Sequence, residues 1–136
     1  MQPGVAAPLV LVVDDYDDAR EMYAESLLVS GFRVVQAADG LAAVECARRL
    51  GPDVILMDLS LPGLDGWEAT RRLKADERTR HIPVVALTGH AMASALTAAR
   101  QAGCDRFVIK PALPDVVVEE VRQAIQKRST DVPQPS

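Results

Sequence analysis

Four short apolar runs in this chain each end on a side chain suited to phosphate or metal chemistry. Leu9–Val13 leads into Asp14 and Asp15, and Val54–Met57 leads into Asp58. Val84–Leu87 leads into Thr88, and Phe107–Ile109 leads into Lys110. If these runs are parallel strands of one sheet, the five polar side chains meet at its carboxyl edge, where open α/β sheets bind ligands. Three acids, a hydroxyl and an ammonium at one rim suit a metal ion beside a phosphoryl group.

The segments between the runs support that arrangement. Apolar residues recur at helical spacing over about 17–30, with Met22, Tyr23, Ser26 and Leu27 on one face. A short strand at 33–37 precedes a helix opened by Asp39-Gly40, whose inward face is expected to hold Ala43, Val44, Ala47 and Leu50. Strand 53–57 is followed by a helix over about 66–75 carrying Trp67, Thr70 and Leu73 inward. Strand 83–87, an Ala-rich helix at about 91–102, strand 106–109 and a last helix at about 114–128 complete the series. That helix aligns Val117, Val118, Val121, Ala124 and Ile125. Gly31, Gly51 and Gly103 stand just past helices, where a left-handed cap favours glycine. Pro114 suits a first helical turn. Short strands alternating with helices predict right-handed crossovers and an α/β fold, a doubly wound five-stranded parallel sheet with helices on both faces. Runs as apolar as 9–13 and 54–57 fit strands covered on both sides. A single domain over 8–128 is expected, between flexible tails at 1–7 and 129–136.

Composition narrows the function classes. A formal net charge of −4 argues against direct nucleic-acid binding, which needs a basic face to replace phosphate counterions. No apolar run approaches a membrane span and no signal peptide is visible, so a cytoplasmic protein is expected. Cys46 and Cys104 lack metal-ligand spacing; reduced thiols are the simple reading, and a pair is the alternative in a secreted protein. Arg71, Arg72, Lys74, Arg78, Arg80 and His81 are interleaved with Glu68, Asp76 and Glu77 and read as a solvated helix face and loop.

Each rim residue has a bland reading when taken alone. An Asp pair after a strand is more often a solvated turn or a helix cap. Asp58 could be a loop acid, and Thr88 and Lys110 ordinary strand ends. Together they describe a reaction. Adjacent carboxylates repel, and a hard divalent cation such as Mg²⁺ relieves the repulsion. A carboxylate such as Asp58 can attack phosphorus and form an acyl phosphate, with a hydroxyl and an ammonium neutralising the transferring group. Lys110 precedes Pro111, a setting in which a cis bond is accessible.

The segments Val12-Val13-Asp14-Asp15, Leu56-Met57-Asp58, Leu61-Pro62-Gly63-Leu64-Asp65-Gly66, Ala86-Leu87-Thr88 and Lys110-Pro111 resemble those of a response-regulator receiver domain of the chemotaxis-regulator type. The likeness extends over roughly 8–128. It implies a flavodoxin-like strand order of 2-1-3-4-5, with Asp58 as the phosphoacceptor. It further implies that Asp15, Asp58 and the Ser60 carbonyl hold Mg²⁺, with Asp14 assisting, and that Thr88 and Lys110 hold the phosphoryl group. Thr88 and Phe107 take the family's switch positions. Ser60 and His90 take positions that tune water access to the acyl phosphate, and Ala19, Met22 and Pro111 a kinase-facing surface.

The resemblance implies a partner that donates from a phosphohistidine, either a sensor histidine kinase or a histidine phosphotransfer protein. It also implies a downstream protein target and a monomer or a phosphorylation-dependent dimer. A stand-alone regulator is favoured over a receiver belonging to a hybrid kinase. Three other readings fit less well. An aspartate-nucleophile phosphatase of the dehalogenase type needs a second Asp where this chain has Ser60. A flavodoxin-like cofactor module needs a Gly/Ser/Thr loop where this chain has Asp14-Asp15-Tyr16-Asp17-Asp18. A degenerate receiver serving only as an interaction module would not retain all of Asp14, Asp15, Asp58, Thr88 and Lys110.

Overall fold

The computed structural model describes residues 6–59, 65–89 and 93–130, with side chains at 93–95 and 127–130 left aside. The chain alternates strand and helix throughout. The strands are β1 (Leu9–Val13), β2 (Arg33–Ala37), β3 (Val54–Asp58), β4 (Val84–Thr88) and β5 (Arg106–Ile109). The helices are α1 (Asp17–Val29), α2 (Gly40–Leu50), α3 (Gly66–Ala75), α4 (Ala93–Ala102) and α5 (Pro114–Thr130). All strand pairs are parallel, in the order β2-β1-β3-β4-β5.

Strand periodicity divides the core in two. Leu11, Val13, Ile55, Met57, Val84 and Ala86 face a layer built from α2, α3 and α4, including Val44, Leu73 and Ala99. Val10, Val12, Val54, Leu56, Val85 and Leu87 face α1 and α5, where Tyr23, Leu27, Val117 and Val121 cover them. Every residue of β3 and β4 is buried, which is why those runs read as continuously apolar.

Local chemistry sets the boundaries. Asp39 and Asp65 cap α2 and α3 by accepting from the N–H groups of Ala42 and Glu68, each at 2.8 Å. Gly31, Gly51 and Gly103 all have positive φ. β3 and β4 each begin and end one residue later than the sequence suggests, so Asp58 and Thr88 belong to the strands. On α1 the buried stripe is Tyr23, Ala24 and Leu27, while Met22 is exposed. Leu50 does not join the inward face of α2. It is the last helical residue, exposed where Gly51 turns the chain, and Cys46 is buried instead. Both cysteines are free and buried, and burial raises the Cys104 thiol to about 11.

Acids just before strands bind the sheet at its other edge. Asp53 accepts from the Leu9 N–H and Asp105 from the Val84 N–H, both at 2.8 Å. Lys74, from the basic segment, donates to Asp105 at 3.0 Å and to the Ile82 carbonyl at 2.8 Å, tying α3 to the starts of β4 and β5. Its neighbours are ordinary surface pairs: Arg71 and Arg72 with Glu68, and Arg78 with Asp76. Because Val84 is fully buried, Asp105→Ala leaves its N–H without a partner. Unfolding free energy should fall by about 1–3 kcal/mol in urea titrations; an unchanged midpoint would show that this bond contributes nothing.

Candidate functional site

The rim is assembled by register. Val13 pairs with Met57, so Asp14 lies beside Asp58 at the ends of β1 and β3. Asp58 pairs with Leu87, and Thr88 with Ile109, which brings Lys110 to the same edge. The Lys110 N–H donates to the Thr88 carbonyl at 2.7 Å, extending the β4–β5 ladder one step. The peptide between Lys110 and Pro111 is cis.

Side chains converge at this edge. Lys110 Nζ lies 3.2 Å from Asp58 Oδ2 and 3.3 Å from Asp14 Oδ2. Asp14, Asp15 and Asp58 each offer one carboxylate oxygen, all within 4.8 Å of one another. Asp14, Asp58 and Thr88 are buried, while Asp15 opens to solvent. Such a site is walled by the sheet on one side and accessible on the other.

Charge is unevenly balanced here. Burial pushes the Asp14 carboxyl above its ordinary value and the charge on Asp58 adds to the effect, against the opposing Tyr16 N–H bond and the Lys110 ammonium. Burial alone would lower Lys110, but attraction to Asp58 and then Asp14 wins and its ammonium is held more firmly than usual. Among the described residues, one ammonium, paired with Asp14 and Asp58, thus serves a cluster of three carboxylates. Like charges about 4 Å apart repel by on the order of 4 kcal/mol at an effective dielectric of about 20. A divalent cation bound by oxygen donors would relieve this, and three convergent carboxylate oxygens with one open side are a donor set that suits Mg²⁺.

Two supports are not apparent from residue types alone. Tyr16 donates its N–H to Asp14 Oδ1 at 3.0 Å, holding that carboxylate within its own turn rather than as a cap of α1. Gly66 starts α3 directly against the Asp58–Leu59 backbone. A Cβ there would meet the Asp58 carbonyl oxygen and come within 2.7 Å of Leu59 Cα. The sequence places Gly66 at the end of a family-like segment without showing why glycine is needed there; the close approach depends on how α3 returns to β3. Phe107 is half-buried against the α2–α4 layer, with Arg100 of α4 at 5.8 Å from its ring centroid. Ser60 and His90 lie outside the described residues.

Comparison with known proteins gives a consistent picture. The family model described as "Response regulator receiver domain" matches residues 10–122. The polar-differentiation response regulator DivK of Brucella ovis is 36% identical over 113 residues, covering 83% of this chain and 92% of the relative. The receiver domain of a sensor histidine kinase from Pseudomonas aeruginosa PAO1, with a magnesium ion coordinated in its active-site cleft, superposes with a TM-score of 0.82. It is 35% identical, and the match covers 89% of this chain and 99% of that one. A chemotaxis protein of Vibrio cholerae gives a TM-score of 0.84 at 26% identity, covering 88% and 99% of the two chains.

The raised Asp14 carboxyl has a stability signature. Asp14 holds its proton more tightly folded than unfolded, so its ionisation opposes folding as pH rises through the native value. In chelator-treated buffer, Asp14→Asn should be more stable than the wild type at about pH 7. The advantage should shrink on acidification and vanish below the ordinary carboxylate value of 3.8. Thermal melts of both proteins across that range check this; a pH-independent difference would contradict it.

Proposed function

The chain belongs to the response-regulator receiver family, and on that premise we propose that Asp58 accepts a phosphoryl group from a phosphohistidine on a sensor kinase or phosphotransfer protein. The observation that carries this reading is the Lys110 ammonium within 3.3 Å of both Asp14 and Asp58, with Asp15 completing an acid cluster around the acceptor. In the transfer, an Asp58 carboxylate oxygen forms a bond to phosphorus as the bond to the donor imidazole nitrogen breaks, and that nitrogen takes up a proton.

Each residue has a role consistent with its position. Lys110 pairs with Asp58 before transfer and follows the negative charge onto the phosphoryl oxygens. Thr88, buried at the end of β4, supplies a hydroxyl to another phosphoryl oxygen. Asp15 and Asp58, with Asp14 assisting and the Ser60 carbonyl as a further ligand, would hold Mg²⁺. When bound, that ion neutralises acid repulsion and the charge of the transferring group. Hydrolysis of the acyl phosphate at the same residues returns the protein to its starting state, so the chemistry is a phosphorylation cycle rather than metabolic turnover.

Signalling follows from the strand ends. An acyl phosphate adds negative charge beside Thr88 and favours a state in which that side chain moves toward it. Phe107, on the neighbouring strand, then exchanges its half-buried position for another. Lacking a phenol hydroxyl, it reports mainly through burial versus exposure. The output is contact with a downstream protein, as a monomer or a phosphorylation-dependent dimer. Two free, buried thiols suit the reducing cytoplasm, and no helix among the described residues is long and apolar enough to cross a membrane.

Intact-mass analysis after incubation with acetyl phosphate and Mg²⁺ tests the assignment. The wild type should gain one phosphoryl mass, lost on chelation of Mg²⁺ beforehand, and Asp58→Asn should gain none. An adduct that persists in Asp58→Asn would move the acceptor elsewhere.

A further inference from the structure

Arg20 stands in the first turns of α1, outside every motif that marks the site. Its three guanidinium nitrogens reach three different parts of the fold. Nη1 donates to the Asp14 backbone carbonyl at 2.9 Å, Nε to Gln36 Oε1 of β2 at 3.1 Å, and Nη2 pairs with Asp17 Oδ1 at 2.8 Å. The side chain is 14% exposed, whereas that of Asp17 is 74% exposed. A planar fork satisfied on all three nitrogens has a defined orientation, unlike a single long-chain ion pair at the surface.

What this fork holds is the peptide that joins Asp14 to Asp15. Asp14 is already secured on its other side, where its N–H donates to the Ala37 carbonyl at 3.2 Å. Its carboxylate is held by Tyr16 N–H and by Lys110. Asp15 has no such support: it is exposed, and among the described residues its side chain has no hydrogen-bond or ion-pair partner. With no side-chain partner to place it, its carboxylate relies on the backbone to present it toward the cluster, and the preceding peptide is held at the carbonyl that Arg20 grips. We infer that Arg20 is a positioning residue for the acid cluster, fixing the Asp14–Asp15 peptide so that Asp15 points at the site shared with Asp14 and Asp58. The inference rests on the proposed metal-assisted function and adds to it a residue that touches neither metal nor phosphate.

Simple electrostatics makes the opposite forecast. Removing a positive charge close to a cation site should strengthen cation binding. Loss of an outer-sphere support typically weakens it by about 10–100-fold. Mg²⁺ titration by calorimetry of wild type and Arg20→Met, both verified as folded by circular dichroism, separates the two. Affinity for Mg²⁺ should fall about tenfold in Arg20→Met. Arg20→Lys keeps the charge but not the fork and should also bind more weakly than the wild type. Equal or tighter binding in Arg20→Met would overturn the inference.

If Arg20→Met does not fold, Gln36→Ala serves in its place. It removes one anchor of the fork at an exposed position, and weaker Mg²⁺ binding is again expected; unchanged affinity would overturn the inference. Should the wild type itself bind no Mg²⁺, the proposed metal site fails. Binding by the wild type with no loss in the variants removes only the role of Arg20.

Discussion

Two carboxylates buried at the end of a parallel sheet share one ammonium, and the rest of the site is organised around that shortage of positive charge. Lys110 reaches both Asp14 and Asp58, and its own charge is held more firmly as a result. One cation cannot neutralise the cluster once Asp15 is counted. The resting site is therefore poised for further positive charge, and then for a phosphoryl group that this charge makes tolerable. The same burial that raises Asp14 in isolation strengthens every electrostatic contact there when the balance is restored.

The fold confines this tension to one edge. Acids before strands, Asp53 and Asp105, are absorbed into hydrogen bonds with the N–H groups of neighbouring strands. Acids at the carboxyl ends of strands, Asp14 just past β1 and Asp58 as the last residue of β3, face one another and Lys110 instead. Parallel pairing makes the two edges chemically different, because every strand delivers its carboxyl end to the same side. Stability devices such as Lys74 collect at one edge and reactive groups at the other. The apolar strand bodies between them, fully buried in β3 and β4, keep the two functions apart.

Much of the site could be read without coordinates, since Asp14, Asp15, Asp58, Thr88 and Lys110 each follow an apolar run and a shared edge is the simplest meeting place. Gly66 and Arg20 were less accessible. Gly66 has the same appearance as any turn glycine until α3 is seen against the Asp58–Leu59 backbone. Arg20 has the same appearance as any helix arginine until its fork is seen to span α1, β2 and the Asp14 carbonyl. Leu50 and Met22 illustrate the same limit within helices: periodicity marks an apolar face, but the helix end and the extent of the sheet beneath determine which members are covered.

The linear order of apolar runs and turn residues is enough by itself to determine the class of fold, the identity of the strand-end side chains and the helical stripes around Leu27, Leu73 and Val121. These depend on local periodicity and on steric preferences that act over a few residues. Tertiary structure alone decided which carboxylates share the lysine, how deeply Asp14 is buried and what orients Asp15. Those properties arise between segments distant in sequence, as in the contact of Lys110 with Asp14 across 96 residues. Charge and burial at such a junction depend on three-dimensional distance, and no local pattern records it.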